Sequence, residues 1–192
     1  MSEAKYLQIL SRWLKKFQRY KVAYKNGAYH LANLFQSPET MIESFDQMPF
    51  TRHDKEAKRF SSDSLFLSTD MYYTELEEGL WLMVSELHFK KNVMMRNLYD
   101  KNLPLEYHFI NIHLKATELV NKSMVNGILI KDKTWSMFKA GHSLSEYHFK
   151  NSVEKNITLY FTSAWLRNQI SQNSIYKNSK LRSFFDSSNS YL

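Results

Sequence analysis

The hydrophobic and polar positions of this chain change period twice. In residues 2–20, Tyr6, Leu7, Leu10, Trp13, Leu14 and Phe17 recur at spacings of three and four, with Arg12, Lys15, Lys16 and Arg19 between them. That spacing predicts an amphipathic helix with Ser2 as its N-cap. Asn26-Gly27 breaks the pattern, and residues 28–36 (AYHLANLFQ) predict a second helix. Ser37-Pro38-Glu39-Thr40 opens another, because serine can cap and proline suits the first helical position. Met48-Pro49 ends it. The charged run Thr51 to Phe60 comes close to a third short helix and reads as solvated, and Ser61, Ser62, Asp63 and Ser64 read as a linker.

From about residue 65 the period becomes two. Residues 65–67, 71–77, 79–89, 91–99, 106–114, 124–130, 134–138, 146–150 and 157–162 are aromatic or β-branched segments, separated by turn chemistry at Glu78-Gly79, Asp100 to Pro104, Lys131-Asp132-Lys133 and Ala140-Gly141. Short strands so spaced predict an all-β sandwich or barrel. After Thr162 the helical period returns: Thr162 or Ser163 can cap a helix bearing Trp165, Leu166 and Ile170, and Leu181, Phe184 and Phe185 mark one more. The expected organisation is a helical segment over 1–60, a β unit over 61–162 and C-terminal helices over 163–192. The fold class is mainly β with flanking helices.

Composition narrows the function. Hydrophobic residues at 43% and charged residues at 23% are globular values. Cysteine is absent, which removes disulfides, thiol nucleophiles and cysteine-held metals. The net charge of +7 is uneven: residues 1–60 hold 11 basic and 6 acidic side chains, 61–120 hold 5 and 9, and 121–192 hold 10 and 4. An acidic middle between basic ends is not a nucleic-acid sheath. No apolar run nears the roughly 18 to 20 residues that span a bilayer, and no signal peptide opens the chain, so a cytoplasmic protein without membrane contact is expected.

One motif invites chemistry. Glu-Leu-His-Phe stands at 86–89, and Glu-Tyr-His-Phe at both 106–109 and 146–149. On a strand, Glu and His share one face and the apolar pair the other, so the plain reading is an aromatic inner face and a polar outer one. The sharper reading aims imidazoles and a carboxylate into a barrel, where they suit a divalent metal. His-X-His is missing, however, and His108 and His113 lie five apart, on opposite faces of a regular strand. Gly-X-Ser-X-Gly, a glycine-rich phosphate loop and a His-Glu-X-X-His helix are missing too. No catalytic residue, metal ligand set or cofactor is therefore expected.

The run from Glu75 to Leu166 resembles the N-terminal sensing domain of AraC-family transcriptional regulators of the Bacteroidetes type. The residues that carry the resemblance are Leu-Glu-Glu-Gly-Leu-Trp (76–81), Asp-Lys-Asn-Leu-Pro (100–104), Lys133-Thr134-Trp135, and Tyr-Phe-Thr-X-X-Trp-Leu (160–166). It implies a cupin-like, jelly-roll β-barrel of about eight strands that binds an effector and dimerises. DNA would be met only through a helix-turn-helix domain outside this chain. The first 60 residues do not map onto the family. Trp81, Tyr107, Phe109, Trp135 and His148 are the candidates for a pocket holding a small-molecule effector. Trp165, Leu166 and Ile170 are the candidates for a homodimer interface, with burial against their own barrel the equal alternative. A stand-alone cupin-like metal-dependent enzyme and a dimerisation module with a filled barrel are the alternatives.

The stripe on residues 2–20 is expected to pack on its own chain or a dimer mate. A peptide of residues 1–25 should accordingly bind anionic vesicles weakly in a sedimentation assay; strong binding would assign the segment to a membrane surface.

Overall fold

Tight turns and alternation build most of the architecture. The computed structural model describes residues 22–33, 37–48, 50–97, 106–116, 124–125, 128–129, 134–140, 144–172 and 184–185. The strands are β1 (Val22–Lys25), β2 (Ala28–Asn33), β3 (Thr51–Asp54), β4 (Arg59–Asp63), β5 (Leu67–Glu77), β6 (Leu80–Phe89), β7 (Val93–Asn97), β8 (Tyr107–Ala116), β9 (Met124–Val125), β10 (Ile128–Leu129), β11 (Thr134–Phe138), β12 (Leu144–His148) and β13 (Val153–Thr162). Among the described residues they are accompanied by the helices α1 (Pro38–Asp46) and α2 (Ser163–Gln172).

The strands form two sheets, one in the order β1-β2-β7-β12-β9-β10 and one in the order β11-β8-β13-β6-β5-β4-β3. Pairing is antiparallel except between β2 and β7. Phe66, Phe89, Val93 and Met95 form a core to which both sheets contribute, with Tyr29, Leu31, Leu67 and Leu87 packed against it. The mainly β expectation therefore holds. The ladders of the described residues leave both sheets open rather than closing one continuous barrel. No described helix is long and apolar enough to cross a membrane.

The expected helix over 28–36 is corrected: residues 28–33 are a strand, paired with β1 across Asn26-Gly27. Both turn residues have positive φ, 52° and 79°, as the tightest hairpin turn requires. The charged run and the expected linker are corrected as well. They form the hairpin β3–β4, in which Asp54 accepts a hydrogen bond from the Ala57 amide at 2.9 Å and Lys58 takes φ 49°. Of the helices expected in residues 1–60, α1 is present. Ser37 caps it by accepting from the Thr40 amide at 3.1 Å. The stretch 2–20, residues 34–36 and Leu181 lie outside the described residues.

Helix α1 covers one end of the second sheet. Its Met41, Ile42 and Phe45 pack with Phe60, Met71, Met83, Tyr107 and Tyr160. Two side chains tie it down: Asp46 to His53 at 2.9 Å, and Glu39, which accepts from the Tyr107 hydroxyl at 2.7 Å. Helix α2 lies at the other face of β13, where Met137, Phe161 and Phe184 form a separate core with Trp165 and Leu166. Thr162 is its cap, accepting from the Trp165 amide at 3.1 Å.

The turn Glu78-Gly79 joins β5 to β6, and Gly79 has φ +79°. A Cβ there would stand 2.7 Å from Thr162 Oγ1, the capping atom of α2. Gly79→Ala combines a disfavoured conformation with that clash. It should lower stability by more than about 1 kcal/mol in urea unfolding, and an unchanged midpoint would show that the turn has room to relax.

Candidate functional site

Strand register decides what each Glu-X-His-Phe copy faces. In β6, Phe89 is buried while Glu86 and His88 pair with each other at 2.9 Å on the outside, where Lys155 also reaches Glu86 at 2.7 Å. In β8, Tyr107 and Phe109 face inward. His108 on the other face is buried between β13 and Phe185. The copy in β12 is reversed: Glu146 and His148 point between the sheets, and Tyr147 and Phe149 contact each other at 4.8 Å. The plain reading of an aromatic inner face holds for the first two copies and is corrected for the third.

His108 is structural. Its Nδ1 accepts from the Ala140 amide at 3.0 Å, which fixes the proton on Nε2, and Nε2 donates to Ser163 Oγ at 2.8 Å. Burial holds its pKa down to about 4. The ring thereby pins the first residue of α2.

His148 has the opposite surroundings. Its Nδ1 lies 2.9 Å from Glu154 Oε1, its Nε2 lies 3.8 Å from Glu146 Oε2, and its ring stacks on Phe89 at 4.1 Å and 5°. Burial alone would lower its pKa, but Glu154 and Glu146 outweigh burial and raise it to about 9. His148 is thus an imidazolium at neutral pH, bridging β12 of one sheet and β13 of the other. His113 reaches the same region from β8, and Asn156 lies opposite it in the register. Burial pushes the His113 pKa down despite the nearby carboxylates.

These groups sit on one half of the inner face. Along β13, Glu154, Asn156, Thr158, Tyr160 and Thr162 alternate inward, and Thr158 donates to Asn111 of β8 at 3.3 Å. The next rows turn aromatic, with Phe109 against Tyr160 at 5.5 Å and against Phe138 at 4.7 Å. A few polar groups thus converge beside aromatic walls.

The sequence-derived candidates divide accordingly. Trp81, Tyr107 and Phe109 come together in the aromatic core, and α1 packs over it. His148 belongs to the polar group. Trp135 lies apart from them: it pairs with Ile112 on the outer face and is 54% exposed, because β11 presents its alternate residues, Ser136 and Phe138, inward. Trp165 and Leu166 are half-buried on α2. Both pack on the Met137–Phe161 core, and the Trp165 indole donates to Glu77 at 2.6 Å. The side chain of Ile170 lies outside the described residues. Sequence reasoning missed Glu154, His113, Asn156 and Glu146 as a group. The available signal was β13, where alternate polar residues face alternate Ile157, Leu159 and Phe161, so that either face reads as core.

Fold and site define a mainly β, two-sheet protein with a charged histidine–carboxylate pair between its sheets. No family model matches the chain, and no curated protein matches it. Among solved structures, KdgF from Halomonas sp. superposes with a TM-score of 0.28 at 10% identity, over 46% of this chain and 84% of that one. A superposition that loose carries no argument.

The three histidines set opposite pH slopes. His148, raised above an unfolded value near 6.5, stabilises fully below that pH and loses its contribution as pH rises through about 9. His108 and His113 are lowered, so their contribution is present above 6.5 and is lost as pH falls, for His108 through about 4. Urea unfolding should therefore give lower stability at both pH 5 and pH 9 than at pH 6.5. Glu154→Gln should remove the alkaline loss and cost about 3–5 kcal/mol at pH 6.5; an unchanged alkaline slope in that variant would place the titration elsewhere.

Proposed function

We propose that this chain is the effector-sensing and dimerisation domain of an AraC-family transcriptional regulator, binding a small molecule between its two sheets. The observation that carries the reading is the convergence of Glu146, His148, Glu154 and Asn156 between the sheets, beside the rings of Phe109 and Tyr160. Burying ionised groups is costly unless they are put to use or well paired. The two-sheet arrangement is compatible with a cupin-like jelly roll, the fold the resemblance implies.

Glu146 belongs to one sheet, and Glu154 and Asn156 to the other. A ligand that touches both couples the sheets, and it shifts their relative placement only by its differential affinity for the two arrangements. In this reading the chain is a homodimer, and DNA is contacted by a helix-turn-helix domain outside these 192 residues.

The stand-alone cupin-like metal enzyme is the second reading, favoured by two histidines and two glutamates facing one interior. The residues do not fit a metal well: His148 Nδ1 is bound to Glu154, and among the described residues no three such groups converge as a ligand set.

Thermal unfolding against a library of neutral, cationic and anionic small molecules tests the proposal. A true effector at 100 times its dissociation constant should add about 2.7 kcal/mol of stability. Silence across every class would favour a filled interior, and near one equivalent of iron, manganese, nickel or zinc in the purified protein would favour the enzyme.

A further inference from the structure

We infer that the site between the sheets selects a small organic cation, a primary ammonium or amidinium, seated on the Glu146 carboxylate. The inference rests on the ligand-binding reading above and adds the chemical class of the ligand.

The one positive charge of His148 faces two carboxylates and pairs more closely with Glu154. Its Nδ1 bonds to Glu154 at 2.9 Å, whereas Glu146 stands 3.8 Å from Nε2, beyond hydrogen-bonding distance. The Glu146 side chain is 14% exposed, and among the described residues no donor reaches it at hydrogen-bond length. A carboxylate removed from water without a donor is among the least comfortable groups an interior can hold.

A second observation points the same way. Asn156 is 5% exposed, and its Oδ1 faces His113 without a hydrogen bond of normal length. The region therefore offers two acceptors, a carboxylate and an amide oxygen, and burial keeps His113 neutral so that it adds no positive charge. A ligand that answers both must donate N–H groups and carry a positive charge. A neutral polyol supplies donors but leaves the charge uncompensated, and an anion meets Glu146 with like charge. The neighbouring rings of Tyr160 and Phe109, 5.5 Å apart, present π faces to the organic part of a cation.

A matched set of probes tests this on the full chain: benzylammonium, benzyl alcohol and benzoate, each titrated by calorimetry at pH 7. Benzylammonium should bind at least about tenfold more tightly than benzyl alcohol, with benzoate weakest. Glu146→Gln, checked for folding by its unfolding midpoint, should remove that preference. Benzylammonium binding no more tightly than benzyl alcohol, or a preference that survives in folded Glu146→Gln, would overturn the inference. Stabilisation by neutral or anionic compounds alone would overturn it and leave the ligand-sensing proposal standing. Silence from every compound would overturn both.

Discussion

The contact on which this architecture turns is the 2.9 Å pair between His148 and Glu154, because it joins the last residue of a strand in one sheet to the second residue of a strand in the other. Residues 149–152 carry the chain around that corner. Asn151, at φ 65°, donates to the Phe89 carbonyl at 2.6 Å, and the Phe89 amide donates to the Ser152 carbonyl at 2.9 Å. The Phe89 ring then lies flat on His148. Asn92 reinforces the corner: its Oδ1 accepts from the Lys150 amide at 2.8 Å, and its carbonyl accepts from the Tyr29 amide at 2.9 Å. The spacing of the sheets at this edge is thus set by polar bonds as much as by apolar packing. Well-packed apolar residues would usually serve stability as well or better at such a place. A buried ion pair beside a second carboxylate is the feature on which the proposed binding surface rests.

The repeated tetrapeptide shows how little a short motif means without its register. Glu-X-His-Phe stands in three strands, yet only in β12 do the acid and the imidazole face the interior. Period-two alternation fixes which residues share a face, not which face is inside. Neighbouring rows decide that, and the sheet opposite supplies the reason. His108 and His148 are the same residue in the same tetrapeptide. One is held neutral by a backbone amide that needs a lone pair, and the other is charged by the carboxylates around it.

Most strands between residues 67 and 162 are legible because alternation, aromatic content and turn residues agree there, but the one strand expected over 124–130 is two, β9 and β10, paired antiparallel. The caps of both helices are legible too, where Ser37-Pro38 and Thr162-Ser163 state the chemistry directly. The first sixty residues misled for identifiable reasons. Asn26-Gly27 breaks a helical pattern, but its flanks alternate, and two consecutive residues at positive φ make a hairpin. Residues 51–63 are too charged to look like strands, yet Arg59 pairs with Asp70 across to β5, and Phe60, with His53 stacked on it, anchors the hairpin in the core. The polar site stayed hidden because apolar patterning assigns the core. On β13 both faces qualify, with Phe161 packed toward α2 and Tyr160 buried toward the opposite side.

That double-faced strand gives the proposed sensing function a physical route. β13 begins at the site with Glu154 and Asn156 and ends at Thr162, which caps α2, while Ser163 holds His108. A strand hydrogen-bonded on both sides, here to β6 and β8, is stiff along its length. A ligand that draws Glu146 and Asn156 together acts on the strand at one end, and the Gly79–Thr162 contact and the helix cap lie at the other. For a signal to pass, α2 must have two seats of similar energy, and the differential affinity of the ligand must exceed the difference between them. The seat seen here is held by the Thr162 cap, the Trp165–Glu77 bond and the packing of Trp165 and Leu166. Together with the His108–Ser163 bond, these are the contacts that would have to change for a signal to reach an interface built on α2.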